Sequence, residues 1–155
     1  MFSLRVRSEI RSLPLIEWEK TVSALWVMKT TTSVDGIKKY GASFRTYDSM
    51  VAKHITAALH PGGDQAHFSP IFPLFHMLWV LEMENSLLSV DKTLSGVPYW
   101  NVLSNPMSVF TEQYLGSFSG TGAHYAVLDG KFARWTIPWS NDVNVPFSNT
   151  YGLLR

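Results

Sequence analysis

Five histidines and no cysteine set the chemistry open to this 155-residue chain. His54, His60, His67 and His76 fall within 23 residues, while His124 stands apart. Neutral imidazole is the commonest metal ligand and suits Cu, Zn, Fe and Ni. The lack of cysteine excludes disulfides, thiolate metal sites and a thiol nucleophile, so a metal site must use His, Asp, Glu or Met. Three imidazoles with open positions can hold copper, and three with a water can hold zinc. The plainer alternative is that each histidine is a core or boundary residue satisfied by a hydrogen bond.

The elements that must position these side chains are helical by period. Over 14–29, Leu15, Trp18, Val22, Leu25 and Trp26 recur at three- and four-residue spacings, which predicts a helix. Ser12 is placed to cap it, and Pro14 suits its first turn. Glu17 and Glu19 lie near the positive end of its dipole. Residues 30–36 read as a loop. A second helix is predicted over 43–59, with Phe44, Tyr47, Val51, His54, Ile55 and Ala58 as its apolar stripe. His60-Pro61-Gly62-Gly63-Asp64 ends it with strong breakers. A third is predicted over 73–90, where His76, Val80, Met83 and Leu87 share one face. His54 and His76 thus sit on the inward faces of two helices, with His67 in the loop between them. A helical bundle builds metal sites in this way.

Beyond Val90 the helical period fades. Gly96-Val97-Pro98-Tyr99-Trp100-Asn101 reads as extended, because a proline biases the residue before it away from the helical region. Asp129-Gly130 reads as a tight turn. The fold class is therefore mainly α, with an irregular, loop-rich C-terminal part and no linker or repeat. The chain reads as one domain over 1–155.

Composition removes several functions. The chain is 46% hydrophobic and only 16% charged, against roughly 25% charged in a typical soluble domain, so disorder is excluded. A formal charge of +1 argues against nucleic acid as a partner, because phosphate neutralisation needs a basic surface. No membrane partner is expected: the apolar stretch over 71–81 contains Pro73 and His76 and falls far short of the ~20 residues that span a bilayer. The opening residues lack the apolar run of a secretory signal, and no compartment follows.

The stretch His67-Phe68-Ser69-Pro70-Ile71-Phe72-Pro73-Leu74-Phe75-His76, followed by Val80 and Glu84, resembles the first-copper signature of the tyrosinase family. That signature runs from a His through Phe and an aromatic residue to His-Arg, with a Glu eight residues after the second His; Met77 stands where it has Arg. The helix carrying His54 is similar to the element that supplies the family's first ligand. Val97-Pro98-Tyr99-Trp100-Asn101 resembles its Pro-Tyr-Trp-Asp, and Leu128-Asp129-Gly130-Lys131-Phe132-Ala133-Arg134-Trp135 its Asp-Gly-Pro-Phe segment. Arg7-Ser8-Glu9-Ile10-Arg11-Ser12-Leu13 with Glu17-Trp18 fits its entry helix.

The resemblance implies a type 3 copper protein with a helical-bundle core. Two coppers, each held by three histidines, would bind dioxygen between them and oxidise phenols and o-diphenols to o-quinones. It assigns His54, His67 and His76 to the first copper, with His60 a rival for the first position. Glu84 and Asn101 would lend weaker support behind the ligands. Six histidines are needed and five are present, so the expectation is a partial domain carrying the first-copper half. Leu153-Leu154-Arg155 resembles the Leu-x-Arg that precedes the second-copper segment. Alternatives are a dioxygen-binding relative of the haemocyanin sort, a non-catalytic metal-binding or interaction domain, and a mononuclear zinc site. The implied partners are dioxygen and phenolic small molecules, with self-association through the face a half-bundle leaves uncovered.

Overall fold

Four helices form among the residues described in the computed structural model, which are 5–68, 70–118 and 126–136. They are α1 (Leu15–Thr30), α2 (Ser33–Tyr40), α3 (Tyr47–Ala58) and α4 (Phe72–Val90). All lie in the first of two compact units, which ends at Tyr99; the second begins at Trp100. Among the described residues no strand of a sheet is formed, and Glu9 and Tyr99 make an isolated parallel bridge.

α1 starts where expected, but not by the expected device. Ser12 belongs to a short 3-10 turn, Ile10–Ser12, and the N-cap is Pro14, whose carbonyl accepts from the Glu17 and Trp18 N–H groups. Its buried face is Trp18, Thr21, Val22, Ala24 and Met28. The predicted stripe is rotated accordingly, and Leu15 and Trp26 stay half exposed.

The predicted loop over 30–36 is corrected, because α2 begins at Ser33. The Thr32 hydroxyl accepts the Asp35 N–H, satisfying one of the orphan donors of the first turn. Gly36 occupies the middle of this helix because nothing larger fits. A Cβ there would lie 2.0 Å from Cε1 of Phe44.

The start of α3 is also corrected, from Ser43 to Tyr47. Phe44 is drawn out of helical register to plug the core against Gly36, and the Arg45 N–H donates to Ser86 Oγ at 2.8 Å. Thr46 then caps the helix by accepting the Ser49 N–H. α4 carries Pro73 in its first turn, where the missing N–H does no harm.

α3 and α4 run antiparallel. Arg45 meets Ser86 near one end, the Trp79 indole N–H donates to the Met50 carbonyl midway, and His54 meets His76 near the other. Arg45 and Lys53 both pair with Glu82, which fixes the two helices side by side. The core of this unit gathers Ala24, Met28, Phe44, Leu87 and Leu94. It therefore lies toward the end of the helix pair away from the histidines. On α4, Leu74, Met77, Leu78 and Leu81 lie largely outside this core and exposed.

The extended reading of 96–101 holds at Tyr99, which exchanges backbone hydrogen bonds with Ser8 and Ile10. In the second unit a 3-10 turn, Pro106–Val109, ends in the buried Val109, and Ala126, Val127 and Trp135 are buried as well. Asp129-Gly130 does turn the chain: Gly130 has φ 72°, and a Cβ there would meet the Glu112 carbonyl at 2.6 Å. His124 and Leu153-Leu154-Arg155 lie outside the described residues.

Candidate metal centre

His54 stands one turn from the end of α3 and His76 in the first turns of α4, so the antiparallel pairing brings the two rings together. Their Nε2 atoms are 3.4 Å apart. His67 approaches from the connection between the helices, its ring centroid 5.0 Å from that of His54 and 5.3 Å from that of His76. One nitrogen from each ring lies within 4.8 Å of the others. This is the one such group of three or more His, Asp or Glu found among the described residues.

Hydrogen bonds fix which nitrogen of two rings is free. Nδ1 of His76 is 2.9 Å from the Phe72 carbonyl, which can only accept, so Nδ1 carries the proton and Nε2 presents its lone pair. Nδ1 of His67 is 3.0 Å from Oδ2 of Asp64, with the same consequence. Metal-binding histidines are oriented in this manner.

The bare Nε2 of His76 facing Nε2 of His54 needs a proton or a cation between them. Two imidazoles sharing one ion at ~2.0 Å each have nitrogens roughly 3.3–3.5 Å apart, which is the separation found. Burial holds the His54 pKa below its ordinary value, and the neighbouring His67 and His76 lower it further while Asp64 opposes them. The ring is thereby favoured in the neutral form that can ligate.

Aromatic side chains wall the cluster. Phe72 lies 4.4 Å from the His76 ring, Phe75 5.2 Å from it, and Trp79 5.4 Å from His54. Phe68, next to His67, is 99% exposed and adopts a left-handed φ of 50°. That conformation costs a non-glycine residue ~1–2 kcal/mol, and it turns the chain sharply just after the loop histidine. The Asp64 carboxyl sits below its ordinary pKa: desolvation pushes it up, but hydrogen bonds from the backbone of His67 and Ala66 and from the His67 ring outweigh that.

The other expected site residues do different things. Glu84 lies two turns beyond His76 and is 2% exposed. Its oxygens accept from Arg5, Arg7 and the Val97 N–H, so it clasps the N-terminal arm to α4. Asn101 belongs to the second unit, where its Oδ1 accepts the Leu103 N–H. His60 turns its Nδ1 to the Gly62 N–H, as a local turn residue does. Asp64, the Phe72 carbonyl and Trp79 escaped the sequence reading. Of these only Asp64 left a trace, an acid three residues before a histidine directly after helix breakers.

Two helices and the loop between them bring three imidazoles together in a helical protein, and that donor set fits one copper ion. A family model described as the common central domain of tyrosinase matches residues 44–152. The chain belongs to the tyrosinase family. It is 30% identical over 148 residues to a tyrosinase of Streptomyces antibioticus, covering 92% of this chain and 49% of the relative. Tyrosinases of Streptomyces glaucescens and Streptomyces lincolnensis are 31% and 32% identical over 105 and 104 residues. Those matches cover 64% and 63% of this chain, and 38% and 37% of the relatives. The chain thus spans about half the length of the first relative and less of the other two.

Proposed function

We propose that the chain supplies one three-histidine copper site of a tyrosinase-type oxidoreductase, with His54, His67 and His76 as the ligands. The observation that carries this is the convergence of the three imidazoles, two of them with Nε2 atoms 3.4 Å apart, within the span matched by the family model. In a complete domain, three further histidines would hold a second copper. The pair would then oxidise phenols and o-diphenols to o-quinones with dioxygen, the activity the relatives' name denotes.

Copper, when bound, supplies the binding of dioxygen and the exchange of electrons with the phenol. The chain's own residues prepare for that chemistry. The Phe72 carbonyl and the Asp64 carboxylate hold protons at Nδ1 of His76 and His67, leaving both Nε2 lone pairs outward. Phe72, Phe75 and Trp79 reduce the access of water to the rings. A non-catalytic metal-binding domain is the second reading, favoured by Met77: it is 69% exposed where the family signature has Arg.

The test is elemental analysis of copper and zinc per chain after copper loading and desalting. One copper per chain is expected, lost in His67→Ala and in His76→Ala and kept in His124→Ala. Copper retained by both of the first two variants overturns the ligand assignment. Zinc retained in preference to copper would favour the non-catalytic reading.

A further inference from the structure

The three imidazoles are not held alike. His54 and His76 ride on helices, whose backbone hydrogen bonds fix where their side chains start. His67 has no helix beneath it, and a ligand on a free loop would be placed too loosely to share an ion. One side chain answers this. Oδ1 of Asp64 accepts the N–H groups of both Ala66 and His67 at 2.8 Å, and Oδ2 faces Nδ1 of His67 at 3.0 Å. The same turn is tied to α3 by the Gln65 N–H, which donates to the Ala57 carbonyl at 2.9 Å. Ala66 is fully buried under it.

We propose that Asp64 is a positioning residue of this site: its carboxylate fixes the loop and holds the proton of His67 on Nδ1, so that Nε2 is the nitrogen offered to the ion. This rests on the three-histidine copper reading above. The chemistry asks for a carboxylate in particular. Both of its oxygens accept, and three donors converge on them. An asparagine would keep Oδ1 for the two backbone N–H groups and so turn its NH₂ toward Nδ1. A ring facing that donor places its own proton on Nε2 and closes the nitrogen the metal needs. Asp64→Asn therefore separates holding the loop from choosing the tautomer.

Two measurements on the full chain decide the matter. In the metal-free protein, long-range ¹H–¹⁵N correlation of the imidazoles under conditions where they are neutral should show the His67 proton on Nδ1. In Asp64→Asn it should move to Nε2 while the helical circular dichroism is unchanged. Titration of the chain with Cu(II) against a competing chelator should then show affinity reduced ten- to hundredfold in Asp64→Asn. A His67 proton on Nε2 in the unaltered chain overturns the proposal whether or not the variant folds. Equal copper affinity of the two chains also overturns it. An unaltered chain that takes up no copper instead overturns the metal reading on which the proposal rests.

Discussion

Glu84 stays ionised although it is almost wholly buried, because Arg5, Arg7 and the Val97 N–H all donate to its carboxylate. Desolvation alone would raise its pKa. The hydrogen bonds of Arg7, the Val97 N–H and Arg5 outweigh it and hold the group below its ordinary value of 4.5. A carboxyl with a depressed folded pKa contributes stability that is fully present above the ordinary value and is lost as pH falls through the depressed one. Glu84→Gln should lower stability by about 1–2 kcal/mol near pH 7, a figure reduced because both arginines are partly exposed. The difference between variant and parent should shrink as pH falls below the ordinary value of 4.5 and through the depressed one, as urea melts at neutral and acid pH would show. A gap that stays constant would mean the carboxylate's charge is not what the arginines hold. Glu84 also marks the limit of reading sequence. The histidines were legible because they lie close together on local elements, so spacing alone groups them. The arginine partners of Glu84 sit 77 and 79 residues away, and no spacing rule reaches that far.

At the scale of elements, α1 and α4 were legible because each carries a long apolar period bounded by proline or polar residues. α2 was not, since Thr30-Thr31-Thr32-Ser33 and Gly36 have the composition of a loop and only the cap at Thr32 gives the helix away. What makes Gly36 necessary is tertiary: Phe44, eight residues on, fills the space a side chain would need. The same displacement of Phe44 delays the start of α3. Gly36→Ala should therefore destabilise by about 1–3 kcal/mol despite alanine's better helix propensity, and the Tm should drop by several degrees. Adding Phe44→Leu to that variant should recover part of the loss. A Gly36→Ala chain as stable as its parent would show that the ring can move aside freely.

For the molecule as a whole, the feature with most bearing on behaviour is the outer face of α4. Ile71, Phe72, Leu74, Met77, Leu78 and Leu81 are each between 42% and 69% exposed. The helix has no lysine or arginine, and its two carboxylates are engaged by Arg45, Lys53, Arg5 and Arg7. Contiguous apolar patches beyond a few hundred Å² are rare on lone chains, and this one carries no charge to oppose a second copy. Studied by itself, the chain should sediment as dimers or larger species at micromolar concentration, and Leu78→Glu should shift it toward monomer. A parent chain that stays monomeric across that range would contradict this. The clasp of Glu84 on the N-terminal arm was not foreseeable from spacing, and the docking of that arm has a consequence in time. During synthesis, residues 54–76 and the helices bearing the imidazoles leave the ribosome before Tyr99, whose backbone the arm pairs with through Ser8 and Ile10. The histidine cluster can thus be assembled by neighbours in sequence while Ser8 and Ile10 still wait for Tyr99, made first and docked last.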